Sequence, residues 1–416
     1  MKIEDIKQKA EYCLNCKTKP CRTGCPLQNN IPSFIKNIKE GNYKEAVNVL
    51  AETTIFEPIC GRICPHKSQC EGSCVRGIKG ESVQIGDLEA SVGDFIIENK
   101  IKQNVESTNG KRIAVIGSGP SGLAVSNYLS VRGYLVTIYE KHSKLGGLLR
   151  YGIPEFRLPK TLLDSWLENY VLNENIEVKT NTELGKDITL EQLKEKYEAI
   201  VLSFGANVSN KMNIPGEELG FVLGGNELLE YKKMPDFKDK KVAVIGSGNV
   251  AMDTSRTIKK MGAKDVYVIY RRAEEQMPSE RKEIESAKNE GIEFIFQTNI
   301  LKILKSNQIE CIKTELVEKQ GETRKIPVNI EGSNYLMDID YVVMAVGAKP
   351  NEKVIKKLNL ETTKWGCIKV DENYKTSDSK IYAVGDLIGT KQTVAWAARS
   401  GFECAKIINK NNLLSF

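Results

Sequence analysis

Lys111–Gly122 reads KRIAVIGSGPSG, and Lys240–Ala251, starting 129 residues later, reads KKVAVIGSGNVA. Each copy is a run of β-branched and small apolar residues that stops at a glycine turn and continues into helix-compatible sequence. A continuous apolar run of this kind suits a strand buried in a parallel sheet and fed by a crossover helix. Each copy therefore predicts the opening of one nucleotide-binding βαβ unit. The duplication predicts two Rossmann-like domains in an α/β chain.

The first loop is Gly117-Ser118-Gly119-Pro120-Ser121-Gly122. In such a loop the first glycine makes the tight turn, the second lets backbone approach a pyrophosphate, and the third lets helix pack on strand. The helix start adds free N–H groups and the positive end of its dipole. The next predicted strand, Leu135–Tyr139, ends in Glu140, 23 residues after Gly117, where a carboxylate can accept hydrogen bonds from both ribose hydroxyls. The second loop, Gly246-Ser247-Gly248-Asn249-Val250-Ala251, leads to a predicted strand at Val266–Tyr270 that ends in Arg271 and Arg272. Two guanidinium forks suit a 2′-phosphate better than a bare ribose. The first site is expected to take a dinucleotide with free ribose hydroxyls, and the second NADP(H).

The chain has 416 residues, 41% of them hydrophobic and 27% charged, which excludes disordered, collagenous and coiled-coil classes. The net charge of +6 is spread along the length without a basic block, so no nucleic-acid partner is expected. Apolar runs such as Tyr341–Ala348 are strand-sized, which predicts no membrane span. The opening MKIEDIKQKAEYCLNC carries acids and no apolar stretch, so no secretion signal is expected and the cytoplasm is the expected compartment.

Eight of the eleven cysteines lie between Cys13 and Cys74. Their spacing is Cys13-x2-Cys16-x4-Cys21-x3-Cys25-Pro26, then Cys60-x3-Cys64-Pro65, then Cys70-x3-Cys74. Thiolates grouped this tightly hold zinc, iron–sulfur clusters or disulfides. Disulfides fit poorly with a cytoplasmic chain, and zinc sites usually bring two CxxC pairs where this chain has one. A Cys-x2-Cys opening and a Cys-Pro close resemble ferredoxin runs, and eight thiolates suit two 4Fe–4S clusters. Between them Ile31, Phe34, Ile35 and Ile38, then Ala46, Val47, Val49 and Leu50, fall at helical spacing, which predicts a compact helical module. Polar Glu98–Gly110 and Tyr231–Lys241 read as linkers.

Further stretches carry a resemblance. Tyr139–Lys160 (YEKHSKLGGLLRYGIPEFRLPK), Ile381–Gly389 (IYAVGDLIG) and Thr393–Gly401 (TVAWAARSG) resemble the FAD-binding halves of the two-dinucleotide-binding flavoproteins. Ser203–Ala206 (SFGA) and Ala345–Pro350 (AVGAKP) resemble the hinges of that superfamily. The resemblance implies an iron–sulfur domain at 1–104, FAD-binding chain at 105–235 and 350–416, and an inserted NADPH domain at 236–349. It implies FAD contacts at Gly147, Leu148, Arg157 and Asp386, with Thr393 and Val394 opening a helix aimed at the flavin.

The cysteine module with the flavoprotein behind it is similar to the small subunit of NADPH-dependent glutamate synthase. It is also similar to the N-terminal part of dihydropyrimidine dehydrogenase and to the large subunit of the NADH-dependent ferredoxin:NADP oxidoreductase. The resemblance implies one cluster on Cys13, Cys16, Cys21 and Cys74, and another on Cys25, Cys64, Cys70 and a carboxylate. Glu89 is the implied carboxylate and Asp87 its rival; Cys60 is left over and expected near the flavin. The expected activity passes electrons from NADPH through FAD and the two clusters to a larger partner subunit or ferredoxin. Hydride transfer needs no protein acid or base, so no catalytic side chain is expected. Electron bifurcation and a non-enzymatic redox sensor are the alternatives. Disulfide reduction is disfavoured because Cys311, Cys367 and Cys404 are far apart in sequence.

Overall fold

The computed structural model describes residues 3–230, 234–319 and 324–413. Residues 231–233 of the expected linker at Tyr231–Lys241 lie outside them. The chain divides into two compact units, one formed by residues up to Ala206 and from Pro350 onward, the other by Asn207–Lys349.

The cysteine module is helical, with α1 (Ile3–Glu11), α2 (Pro20–Gly24), α3 (Ile31–Lys39), α4 (Tyr43–Ala51), α5 (Glu57–Ile63) and α6 (Ile85–Glu98). The apolar stripe read from the sequence is the reason: α3 buries Ile31, Phe34, Ile35 and Ile38, and α4 buries Ala46, Val47 and Leu50. Helices α5 and α6 press together through glycines. A Cβ on Gly61 would stand 2.3 Å from the Ala90 nitrogen.

Next come β1 (Arg112–Ile116), α7 (Pro120–Ser130), β2 (Leu135–Tyr139), α8 (Leu148–Tyr151), α9 (Lys160–Trp166), β3 (Ile176–Lys179), α10 (Leu190–Lys196) and β4 (Ala199–Leu202). The second unit follows. It contains β5 (Val208–Ser209), β6 (Val222–Gly224), α11 (Gly225–Glu230), β7 (Lys241–Ile245), α12 (Asn249–Lys260), β8 (Asp265–Ile269), α13 (Arg281–Asn289) and β9 (Glu293–Ile295). An antiparallel sheet adds β10 (Thr298–Leu304), β11 (Gln308–Val317), β12 (Ile326–Asn329) and β13 (Tyr335–Asp338), before β14 (Tyr341–Met344) and β15 (Ala348–Lys349). The chain then returns to the first unit with α14 (Glu352–Leu358), β16 (Ile381–Ala383) and α15 (Val394–Leu413).

Each unit carries a five-stranded parallel sheet, ordered β16-β4-β1-β2-β3 in the first and β6-β14-β7-β8-β9 in the second. The repeat strands β1 and β7 are central, with four of their five residues buried. Residues 207–230 group with the second unit, whereas the sequence reading opened the NADPH domain at 236. The reason is the parallel pairing of Val222–Gly224 with β14.

The cysteine module does not separate from the first parallel sheet, because the two share one core. The Phe56 ring sits 5.2 Å from Trp166 and 6.3 Å from Phe402. Trp166 donates its indole N–H to the Ile55 carbonyl at 2.8 Å, and Arg399 Nη1 donates to the Pro26 carbonyl at 3.1 Å. Among the described residues no helix is long and apolar enough to cross a membrane.

Candidate functional site: two glycine loops and two cysteine groups

In the first unit Gly117 takes φ 103°, and a Cβ there would meet the Ser203 carbonyl oxygen at 2.8 Å. Ser203 holds the turn by donating its hydroxyl to the Ile116 and Gly117 carbonyls. Gly119 has nothing nearer to an added Cβ than the Ser203 oxygen at 4.0 Å, so the second glycine faces open space where a pyrophosphate would lie. Pro120 sets the first turn of α7. Gly122 is the packing glycine: its Cβ would stand 2.1 Å from the Gly117 carbonyl oxygen.

Glu140 is buried and already bonded to the loop. It accepts from the Ser118 amide at 3.0 Å, the Ser118 hydroxyl at 2.5 Å and the His142 amide at 2.9 Å. Ser118 is itself fully buried and its oxygen accepts from Gly146 N, so this serine ties β2 to the loop. A carboxylate has about four acceptor positions, so with three of them taken about one is left for a ribose hydroxyl, not the two expected from the sequence.

Three distant segments converge on the loop. A Cβ on Gly147 would lie 2.7 Å from Gly119 Cα, which puts Leu148, half-exposed, beside the pyrophosphate turn. Gly385, at φ 72°, abuts the Ser121 hydroxyl, and Gly401 of α15 abuts the Ser121 carbonyl. Asp386 follows Gly385; burial pushes its carboxyl up to about 6, opposed by the Thr390 hydroxyl. Thr393 accepts from the Trp396 amide at 3.3 Å, so it caps the start of α15 immediately before Val394. Arg157 lies half-buried in the turn that opens at Pro154.

These contacts separate two substitutions. Gly122→Ala forces overpacking against backbone and is expected to lower the thermal midpoint of the cofactor-free protein, with a cost on the order of 1–3 kcal/mol. Gly119→Ala meets no atom and is expected to leave that midpoint unchanged while lowering the FAD retained on purification. Equal effects of the two on folding would refute the assignment.

In the second unit Gly246 takes φ 131° and abuts the Ala345 carbonyl, while Gly248 has nothing within 4 Å of an added Cβ. Ser247 is buried and its carbonyl accepts from the Ser279 hydroxyl. Asn249 begins α12 with its side-chain oxygen buried and without a hydrogen-bond partner. Val250 packs at the loop's flank, within reach of Gly225. Arg271 is exposed, and Arg272 is half-buried with its Nε lacking a partner. An open glycine, an unpartnered acceptor and an unpartnered guanidinium N–H fit a polar, phosphorylated ligand.

The cysteine module forms two groups, and all eleven cysteines are free thiols. Cys13, Cys16, Cys21 and Cys74 line one apolar cavity that is partly open to solvent. Burial pushes the Cys21 thiol up to about 11, and the Cys13 and Cys74 thiols raise it further. Cys25, Cys64, Cys70 and Glu89 form the second group, all buried. Burial raises Cys25 to about 12 and Cys70 well above the ordinary thiol value, with Glu89 the next cause in each case. Burial likewise raises Glu89 to about 8, opposed by Asn29, whose amide donates to Glu89 Oε1 at 3.1 Å. A cluster bound there would reverse this tendency, since a coordinating thiol is deprotonated outright.

Asp87 points elsewhere and pairs with Lys9 Nζ. Cys60 sits one turn before Cys64 and belongs to the second group: its thiol is raised first by hydrogen bonding with Cys64, then by burial. His66 is also engaged there, with Nε2 3.0 Å from the Cys60 carbonyl oxygen. Among the described residues no three His, Cys, Asp or Glu are placed to hold a single metal ion.

No sequence signal marks Glu57. It is fully buried with neither carboxyl oxygen hydrogen-bonded, close to a Tyr170 hydroxyl in the same condition. Burial raises its pKa well above the ordinary glutamate value, and Glu89 adds to the rise. The folded state keeps a proton that the unfolded chain releases above that ordinary value. Stability from this group is therefore full at low pH and declines as pH rises toward the raised value. An unsatisfied buried group costs about 1–3 kcal/mol, so Glu57→Met is expected to raise the thermal midpoint at pH 8, with a smaller gain at pH 5. A lower midpoint at pH 8 would contradict this.

The comparisons with known proteins give the family. Residues 111–401 match the pyridine nucleotide-disulphide oxidoreductase family, and residues 1–101 match the family described as dihydropyrimidine dehydrogenase domain II, 4Fe-4S cluster. The chain is thus a member of the pyridine nucleotide-disulphide oxidoreductases, and within them it belongs with the glutamate synthase small chains. It is 33% identical to the glutamate synthase [NADPH] small chain of Escherichia coli, over 96% of this chain and 90% of that one. It is 32% identical to the NADP(+)-dependent formate dehydrogenase subunit beta of Moorella thermoacetica, over 94% of this chain and 60% of that one. Among solved structures, FprA of Mycobacterium tuberculosis in complex with NADPH superposes with a TM-score of 0.63 at 18% identity, over 73% of this chain and 85% of that one, a likeness of fold.

Proposed function

We propose that the chain is an NADPH-dependent FAD and iron–sulfur oxidoreductase that delivers electrons to a partner protein. The observation that carries this reading is the meeting of Cys13, Cys16, Cys21 and Cys74, from separate chain segments, on one apolar cavity in the same compact unit as the first glycine loop. In this reading Gly117–Gly122, Glu140, Gly147, Leu148, Arg157, Asp386, Thr393 and Val394 hold FAD. Gly246–Val250, Arg271 and Arg272 hold NADPH. One 4Fe–4S cluster sits on the four cysteines of the cavity and a second on Cys25, Cys64, Cys70 and Glu89.

A bound FAD would supply hydride acceptance from NADPH and release of single electrons, and bound clusters would supply onward electron transfer. The protein's part is placement. The capped first turn of α15 offers N–H groups and a positive dipole end to the negative charge of reduced flavin. Arg399, on the same helix, bonds to the carbonyl of Pro26, next to Cys25, and so fixes the flavin-side helix to the second cysteine group. The names "small chain" and "subunit beta" among the relatives support a larger assembly as the setting. Eleven cysteines without a disulfide among them suit a reducing compartment, which for this protein we take to be the cytoplasm.

Iron, acid-labile sulfide and flavin analysis of protein purified without oxygen tests the reading. About eight iron, eight sulfide and one FAD per chain are expected for two 4Fe–4S clusters. Zinc in place of iron, or no flavin, would refute it.

A further inference from the structure

The two strand ends that follow the glycine loops are fixed in different ways. After β2, Glu140 is held by its own side chain, through the Ser118 amide and hydroxyl and the His142 amide. After β8 the hold is on the backbone. Thr314 of β11, only 3% exposed, donates its hydroxyl to the Arg271 carbonyl at 2.8 Å. Gln297, between β9 and β10, donates its amide N–H to the Arg272 carbonyl at 3.1 Å. One step earlier, the buried Thr298 donates its amide N–H to the Tyr270 carbonyl at 3.1 Å. Three successive carbonyls are therefore taken by the root of the antiparallel sheet.

Thr314 and Gln297 also hold each other. The Thr314 amide donates to the Gln297 carbonyl at 2.7 Å, and Gln297 Nε2 donates to the Thr314 carbonyl at 3.3 Å. Gln297 does this at φ 47°, a left-handed conformation that is unfavourable for a residue with a side chain. Such a conformation persists where its surroundings impose it, and it is common at ligand clamps. Arg272 Nε is buried without a partner, so the hold on this residue is through its backbone.

We infer that Thr314 is a positioning residue for nucleotide choice. By fixing the Arg271 carbonyl, with Gln297 fixing the next, it aims the two guanidinium forks at the 2′-phosphate of NADPH. The inference rests on the reading above, in which Arg271 and Arg272 meet that phosphate. Fixed stems leave the arginines less freedom to lose on binding, which is how a preorganised site gains affinity. A ribose without the phosphate gains nothing from this, so the effect belongs to NADPH and not to NADH.

The test uses the holoprotein with ferricyanide as acceptor. Thr314→Val keeps the branched shape, suits a strand and removes the hydroxyl. It is expected to raise the KM for NADPH about tenfold, equivalent to one charge-assisted contact, with kcat and the KM for NADH unchanged. Thr314→Ala is expected to show the same split, and Thr314→Ser, which keeps the donor, to restore the original KM. The dissociation constant for adenosine 2′,5′-bisphosphate is expected to rise with the KM for NADPH, while that for adenosine 5′-phosphate stays unchanged. Added to Arg271→Ala with Arg272→Ala, Thr314→Val is expected to cause no further loss, because residues acting through one contact are not additive.

An unchanged KM for NADPH in Thr314→Val, or an equal rise for both nucleotides, would overturn the inference. So would a rise in Thr314→Ser as large as in Thr314→Val, or a further loss in the triple variant. A protein with Arg271→Ala and Arg272→Ala that keeps its preference for NADPH would instead overturn the reading of the arginine pair on which the inference rests.

Discussion

Cys74→Ala is expected to remove one cluster, about half the iron, and leave the FAD and the second cluster in place. Cys74 joins Cys13, Cys16 and Cys21 only because the chain returns to the cavity after α5, and these four share the cavity with no acid among its lining residues. The second group lies in its own surroundings, with Glu89 buried against the Asn29 amide. Cys64→Ala is expected to have the complementary effect, removing the other half of the iron. Cys60→Ala and Asp87→Asn serve as controls. Cys60 shares the second group without being one of its assigned ligands, and Asp87 is held by Lys9. Both controls are expected to keep all the iron. Loss of iron in Asp87→Asn, or full iron in Cys74→Ala, would overturn the ligand sets, and iron analysis with EPR of the reduced variants decides.

Arg271→Ala with Arg272→Ala is expected to raise the KM for NADPH about a hundredfold and leave that for NADH nearly unchanged. One charge-assisted contact from each guanidinium gives about 3 kcal/mol together, which corresponds to that factor. Arg272 is the stronger contributor in this account, since its Nε is buried and without a partner, whereas Arg271 stands in solvent. The single variants should therefore be unequal. An equal rise for both nucleotides would mean that the pair supports the loop and does not read the 2′-phosphate. Steady-state kinetics with ferricyanide as acceptor separates the two outcomes.

The parts legible in the sequence are those in which a local pattern has a single physical cause. Gly117 and Gly246 must turn at positive φ, so both βαβ openings could be read without a structure, as could the apolar stripes of α3 and α4. Pairing between distant segments was less accessible. Residues 207–230 group with the second unit through the parallel pairing of β6 and β14, across more than a hundred residues of chain. The shared core of Phe56, Trp166 and Phe402 likewise removes a boundary that the polar stretch Glu98–Gly110 had indicated.

At the sites, residue type predicted location better than bonding. Glu140 stands at the loop as expected, yet its oxygens already serve Ser118 and His142. Glu89 and Asp87 are two residues apart on one helix. The spacing alone could not separate them; burial does, because the turn of α6 sends one inward to the thiols and the other outward to Lys9. Glu57 was invisible for the same reason: nothing in its type or spacing says that both its oxygens lie in the core.

The central claim is a continuous electron path from NADPH through FAD to the cysteine module. An anaerobic titration with NADPH, followed by visible absorbance and by EPR of frozen samples, tests it directly. The account predicts that the flavin bands bleach and that the broad cluster absorbance falls as reduced-cluster EPR signals grow. Flavin that bleaches fully while the clusters stay oxidised at every NADPH concentration would contradict it.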